Sequence, residues 1–347
     1  MTAVRVAICT VKVPFVTGGA EACATGLQHA LLEHGHSAEI VAIPFKWYPP
    51  DEIVRQMLIW QLLDLTEANG KTIDKVITLK FPAYLVRHPN KVVWLVHQHR
   101  QAYDLWGTEY GDLHGHEGGR VREIIMQADN RSLGEARKVF TISQNVSARL
   151  LKYNRIASQP LYPPVKQREA FFCGDYGDYI FCPSRLDALK RQHLLIEAMS
   201  LVKSDARCVV AGQGAHEREL RRLIVSLGLG AKVEIVSGAT DEQIAGYYAN
   251  SLAVFFGPFQ EDYGFVTIEA LYSRKAVITL TDSGGPLEFI RDGLNGMVVA
   301  PTAETIAEAI DTLFKDRARA RAMGEQSYQL AGELQLDWPH VVKSLLS

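Results

Sequence analysis

The sequence predicts an α/β architecture in two halves. Three observations carry that expectation. Short apolar runs of strand length recur along almost the whole chain, amphipathic stretches of helix length separate them, and a proline-rich break falls near the middle. At ~150 residues per domain, 347 residues also suggest two domains. A body of that size buries about three quarters of its unfolded surface, so it needs neither disulfides nor a structural metal to fold.

In the first half the expected strands are 4–9, 38–43, 74–79, 91–96 and 138–142. They are continuously apolar, as strands covered on both faces of a parallel sheet are. Between the first two, Ala20, Ala24, Leu27 and Leu31 recur at three- and four-residue steps and Gly35 follows as a stop, which predicts a helix over 20–34. The break spans 155–177: Pro160, Pro163 and Pro164 can neither donate to a ladder nor continue a helix. In the second half, strands are expected at 178–183, 207–211, 232–236, 252–256 and 276–280, making about five in each half. A last amphipathic segment spans 336–346, with Pro339 suited to a helix start.

Segment 98–132 does not fit the alternation. It is rich in aromatics, His and Gly, and a long irregular insert after a strand is more often functional than filler. Its glycines at 107, 111, 115, 118 and 119 suggest a segment that moves.

Charge and cysteine usage exclude several classes. Lys+Arg 37 against Asp+Glu 39 gives a net charge of −2, without the clustered positive charge that nucleic acid or an anionic membrane demands. The five cysteines (9, 23, 173, 182 and 208) include no Cys-x-x-Cys pair and read as buried thiols in a reducing compartment. No stretch resembles a signal peptide or reaches the ~20 apolar residues of a spanning helix, so the expectation is a soluble, cytoplasmic protein.

Five strand-to-helix turns carry residues suited to chemistry. Thr17-Gly18-Gly19-Ala20-Glu21 lets the backbone approach a ligand at a helix N-terminus, although the dinucleotide pattern Gly-x-Gly-x-x-Gly is absent and a nicotinamide cofactor is rejected. Ser184-Arg185-Leu186-Asp187, with Lys190 and Arg191, offers a forked donor and a point charge to a diphosphate. Gly212-Gln213-Gly214 and Asp282-Ser283-Gly284-Gly285-Pro286-Leu287-Glu288 are two further glycine-rich turns. In the fifth, Glu261 and Glu269 are eight residues apart; on one helix they would lie roughly 80° and ~12 Å apart. Gly264 breaks that path and leaves Glu261 on a loop and Glu269 in the first turns of a helix, where both can face one ligand. Each turn alone is compatible with ordinary capping and turn chemistry.

Their order is informative. CPSRLDALKRQHLLIEAM, VVAGQGAHERELRRL, VSGATDEQIAGYYANSLAVFFGPFQEDYGFVTIEAL, AVITLTDSGGPLEFIRDGLNGMVV and LDWPHVV together resemble the retaining GT-B glycosyltransferases of family GT4 across residues 178–345. Gly18-Gly19-Ala20-Glu21 and Thr141-Ile142-Ser143 match more loosely. The resemblance implies a GT-B fold, two Rossmann-like domains facing each other across a cleft. It divides the chain into an N-terminal domain (1–160), a linker (161–177), a nucleotide-sugar-binding domain (178–332) and a terminal helix (333–347) returning to the first domain. It implies transfer of a sugar from a UDP- or GDP-linked donor to a saccharide or lipid-linked acceptor, with retention at the anomeric carbon and no cofactor.

By position, the resemblance implies that Arg185 and Lys190 clamp the diphosphate, with Gly18 and Gly19 approaching it from the first domain. Glu261 meets the sugar hydroxyls, Glu269 holds the ribose, and Gly212, Gly238, Tyr263, Gly264 and Phe265 line the donor. His97 faces the donor sugar, while Glu21 and His99 are placed on the acceptor side, with peripheral association at the inner membrane face in view; Tyr103 and Trp106 of the insert are read as acceptor contacts from their flat apolar faces with polar edges. Family members often carry Lys-Gly where this chain has Lys190-Arg191, which predicts a different backbone turn there. No Asp-x-Asp occurs, so Arg185 and Lys190 are expected to replace a metal. His114 and His116 are read as a mobile loop rather than ligands. Two readings compete with transfer: a sugar-nucleotide epimerase on the same scaffold, and a catalytically silent nucleotide-sugar binder.

Overall fold

The computed structural model describes residues 3–16 and 18–347; Thr17, which opens the Gly-Gly motif, lies outside the described residues, as do residues 1 and 2. The chain forms two compact units, Met1–Lys166 with Leu336–Ser347, and Gln167–Gln335.

The first unit runs β1 (Arg5–Lys12), α1 (Gly19–Glu33), β2 (Ser37–Pro44), α2 (Pro50–Leu62), a small hairpin β3 (Glu67–Ala68) and β4 (Lys71–Thr72), β5 (Lys75–Lys80), β6 (Lys91–His97), α3 (Gly115–Gly134), β7 (Lys138–Thr141), α4 (Gln144–Asn154) and β8 (Gln159–Pro160). Its main sheet is parallel, in the order β2-β1-β5-β6-β7-β8. Strand order reverses between β1 and β5, so the loops after these two strands adjoin at the carboxyl end of the sheet, where open α/β folds bind ligands. Helix α11 (Trp338–Leu346) packs on this unit. The Trp338 indole meets Trp94 edge-on, 6.3 Å between ring centres. It also lies so close to α1 that a Cβ on Gly26 would come within 2.2 Å of it. The buried Lys75 ammonium caps the helix by donating to the carbonyls of Leu345 and Leu346, at 3.0 and 2.9 Å.

The second unit runs β9 (Tyr179–Pro183), α5 (Gln192–Met199), β10 (Arg207–Ala211), α6 (Glu217–Ser226), β11 (Val233–Val236), α7 (Asp241–Asn250), β12 (Ala253–Phe255), α8 (Phe265–Tyr272), β13 (Ala276–Leu280), β14 (Gly296–Val299), α9 (Ala303–Lys315) and α10 (Arg317–Glu333). Its sheet is again parallel, in the order β11-β10-β9-β12-β13-β14. Ile180, Val210, Phe255 and Ile278 from the strands pack with Leu195, Ile306 and Ile310 from the helices in one core. Order reverses between β9 and β12, so the turn carrying Lys190 and the loop carrying Glu261 are neighbours at the switch point.

Each main sheet has six strands rather than five. The added strands are β8, only two residues long, and β14, whose four residues follow a turn rather than a helix. The insert at 98–132 is also corrected. Residues 115–134 form the 20-residue helix α3, whose buried Val121, Ile125 and Leu133 give it an apolar face, so the irregular stretch is confined to 98–114. His114 is the N-cap of α3 and His116 lies in its first turn, not in a mobile loop. Gly118 is there for contact: a Cβ would meet the Leu113 backbone at 2.7 Å. All five cysteines are free thiols, but Cys173 is exposed, contrary to the expectation of five buried thiols. Burial pushes the Cys9 and Cys182 thiols up to about 12.

Candidate functional site

In the second unit the predicted residues gather on the turns that follow five adjacent parallel strands. After β9, the buried side chain of Leu186 anchors Ser184–Asp187, and Arg185 projects outward, more than half exposed and 3.5 Å from Asp187. A short 3-10 turn (Ala188–Lys190) then presents Lys190, which pairs directly with Glu261 from the loop after β12. The Lys190 ammonium also lies 5.5 Å from the centre of the Phe256 ring. This pair has one partner on each side of the switch point.

The neighbouring turns hold that pair in place. Gly212 and Gly214 bring the turn after β10 against the turn after β9; added Cβ atoms would come within 1.9 Å of the Ser184 carbonyl and 2.2 Å of the Leu186 carbonyl. Gly238, after β11, has φ +76° and lies beside the Gln213 amide. The loop after β12 is bridged to the turn after β13: Glu261 N–H donates to the Ser283 carbonyl and Gly285 N–H to the Glu261 carbonyl, both at 2.8 Å.

Gly264 has φ +87° and caps α8, and a Cβ there would meet the Phe256 ring at 2.9 Å. The Tyr263 side chain is buried edge-on to Phe265 and Phe289, leaving its backbone as the part that borders the loop. Glu269 is the fifth residue of α8, and its Oε2 accepts 2.7 Å from the Tyr248 hydroxyl of α7. Burial pushes the Glu269 carboxyl above its ordinary value, Tyr248 pulls it back in part, and Asp241 adds to the rise. Tyr248 was not foreseen, because a tyrosine on a helix facing a sheet reads simply as core.

At the Lys190-Arg191 departure the residue that stands in place of glycine keeps its side chain buried. Arg191 itself adopts the left-handed conformation, φ 51° and ψ 37°, at the N-cap of α5.

In the first unit, Gly18 is the N-cap of α1, and its N–H donates 2.9 Å to Glu21. The other Glu21 oxygen accepts 2.8 Å from Lys80 at the end of β5. Glu21 is thus engaged in capping and in an ion pair at that unit's switch point. His97 ends β6, half-buried, and its Nδ1 donates 2.8 Å to the Gln98 carbonyl.

Two expected acceptor contacts turn inward. His99 is buried against Phe81 and Phe45, ring centres 5.2 and 6.4 Å away, and burial, with a smaller effect of His97, lowers its pKa to about 3. Tyr103 is buried, donating 2.7 Å to Asp129 and accepting 3.3 Å from Asn154. Tyr103 can be buried because Asp129 and Asn154 satisfy its hydroxyl, whereas His99 is held among aromatic rings that favour its neutral form. Trp106 remains half-buried, with the Arg122 guanidinium 4.9 Å over its ring. Among the described residues, no three His, Cys, Asp or Glu side chains converge to hold a metal. No helix among them is long and apolar enough to cross a membrane.

Comparison with known proteins defines the class. The chain superposes on the sucrose-phosphate synthase of Thermosynechococcus elongatus with a TM-score of 0.79 at 17% identity, covering 99% of this chain and 97% of that one. The fold is that of the GT-B glycosyltransferases. Residues 167–330 match the family "Glycosyl transferases group 1". The GDP-mannose-dependent alpha-(1-6)-phosphatidylinositol monomannoside mannosyltransferase of Mycolicibacterium smegmatis is 27% identical over 239 residues, 61% of this chain and 62% of the relative. An exopolysaccharide phosphotransferase of Streptomyces coelicolor is 31% identical over 157 residues, 44% of this chain and 17% of that much longer protein. The matched stretches therefore span less than two thirds of these relatives.

Proposed function

We propose that the protein transfers a sugar from a nucleotide-diphosphate donor to an acceptor hydroxyl, with retention at the anomeric carbon and without a metal. The observation that carries this reading is the Lys190–Glu261 pair at the second unit's switch point, with Glu269 held by Tyr248 on the adjacent helix. The cation suits the diphosphate and the two carboxylates suit hydroxyl donors, Glu261 those of the sugar and Glu269 those of the ribose. A carboxylate with a raised pKa gains by meeting such donors, since they replace lost solvation.

Departure of the nucleoside diphosphate builds negative charge on its phosphate oxygens, and that is the charge the site has to meet. Lys190 and the exposed Arg185 would meet it, aided by the N-terminus of α8 that Gly264 leaves open. We assign His97 to the sugar and Trp106 to a saccharide or lipid-linked acceptor, whose ring or apolar part suits an indole face. The family match over 167–330 favours transfer over the epimerase and the silent binder.

A thermal-shift screen across UDP, GDP and their sugars tests the reading, because a ligand at 100 times its Kd adds ~2.7 kcal/mol of apparent stability. The nucleotide that stabilises the protein is then supplied as a labelled sugar nucleotide. Stabilisation by none of them, or conversion of the donor to its epimer without transfer or hydrolysis, would refute the proposal.

A further inference from the structure

Arg191 is 5% exposed, carries a Cβ in the left-handed region, and yet is one of the most heavily bonded side chains in the second unit. Its Nε donates 2.9 Å to the Gly257 carbonyl and its Nη2 2.9 Å to the Pro258 carbonyl, both on the loop after β12. Nη1 and Nη2 together grip the Asp282 carboxylate after β13, at 2.8 and 2.5 Å, and the guanidinium lies 5.6 Å from the centre of the Phe259 ring. A forked, two-point contact of this kind fixes orientation as well as distance. The left-handed turn makes it possible: it lets two successive side chains grip the same loop at two places, Lys190 at Glu261 and Arg191 at Gly257 and Pro258. Asp282 completes the arrangement, because its own carbonyl accepts 2.9 Å from Gln260 N–H, directly before Glu261. A surface loop turn has no need of a buried guanidinium, and left-handed backbone at a non-glycine residue persists only where the surroundings over-determine it.

We propose that Arg191 is a positioning residue for the donor sugar: by tying the loops after β12 and β13 to the turn after β9, it fixes Glu261 relative to Lys190. The inference rests on the transferase reading above. It separates holding the nucleotide from orienting the sugar, which Arg191 governs through the loop that carries Glu261.

The test measures donor hydrolysis without acceptor, using UDP-glucose, UDP-N-acetylglucosamine, GDP-mannose and ADP-glucose, beside calorimetric binding of the matching nucleoside diphosphate. Arg191→Gly suits the left-handed turn and is expected to fold. It should bind the diphosphate within about threefold of wild type, with kcat lowered tenfold or more. Arg191→Lys, unable to fork, should not restore kcat. Asp282→Asn keeps the volume, carries the test should Arg191→Gly not fold, and should lower kcat in the same way. Combined with Arg191→Gly it should cost nothing further, because Arg191→Gly already removes the contact that Asp282 makes with the guanidinium. Unchanged kcat in Arg191→Gly or in Asp282→Asn, a parallel loss of diphosphate affinity, or multiplied losses in the double variant would each overturn the proposal. A wild-type protein that binds none of the diphosphates and hydrolyses none of the four donors would overturn the transferase reading and this inference with it.

Discussion

The Tyr248 hydroxyl donates a 2.7 Å hydrogen bond to Glu269, joining α7 to the first turns of α8. One phenol does not repay the desolvation of a carboxylate, so the Glu269 carboxyl sits above its ordinary 4.5. The group is therefore costly in the empty protein and valuable once hydroxyl donors arrive.

Glu269→Gln should accordingly stabilise the empty protein while weakening nucleoside diphosphate binding. The folded state holds the Glu269 proton more tightly than the unfolded chain, so stability from this group is lost as pH rises through 4.5 and the raised value. A Tm higher by roughly 1–3 °C near neutral pH, closing to nothing below pH 4.5, is the expected scan. A variant with lower Tm at neutral pH and unchanged diphosphate affinity would contradict the assignment.

The Lys190–Glu261 pair separates binding from turnover. Lys190→Ala removes a charge-assisted contact and leaves Glu261 without this partner cation, so turnover should fall by the equivalent of about 2–4 kcal/mol. Glu261→Gln should spare binding of UDP or GDP and lower turnover. Equal losses of diphosphate affinity in Glu261→Gln and Glu269→Gln would show that the two carboxylates do not divide sugar from ribose.

Chelation tests the cations directly. With Arg185 and Lys190 meeting the diphosphate, activity should survive EDTA. Complete loss, restored by added Mg²⁺ or Mn²⁺, would refute a metal-independent mechanism.

His99 gives an acid limb to the stability profile. Its folded pKa of about 3 lies below the ordinary 6.5, so as pH falls through that window the unfolded chain takes up a proton that the folded one refuses. Each such proton costs about 1.4 kcal/mol per pH unit. His99→Phe, which can stack on Phe45 and Phe81, should flatten the loss of stability between pH 6.5 and 3 relative to wild type. Identical acid limbs would mean that His99 is protonated in the fold.

The insert contains two aromatics of different standing. Trp106→Ala should raise the acceptor KM and leave donor hydrolysis nearly unchanged, whereas His97→Ala should lower both. Tyr103→Phe should leave the acceptor KM alone and destabilise the protein by about 1–3 kcal/mol, because the buried Asp129 loses the Tyr103 hydroxyl. Burial holds Asp129 up to about 7, so the loss should be larger above neutral pH, where the carboxyl is charged, than below it.

Periodicity and turn residues were enough to specify five strands of each main sheet and the helices α1 and α8, because those elements are short-range: an apolar run, a Gly stop. The glutamates at 261 and 269 were legible for the same reason, since Gly264 between them is a local signal with a local effect. What the chain does at 98–134 was not legible. Glycines and histidines mark loops by intrinsic preference, yet α3 forms because tertiary burial of Val121, Ile125 and Leu133 outweighs that preference. The inward turns of His99 and Tyr103 depend in the same way on Phe45, Phe81, Asp129 and Asn154, which approach from distant parts of the chain. Arg191 shows the division most plainly. Its charge and position were visible in the sequence, but its left-handed backbone is held by three carbonyl and carboxylate partners 66 to 91 residues away, and only the folded sheet brings those within reach.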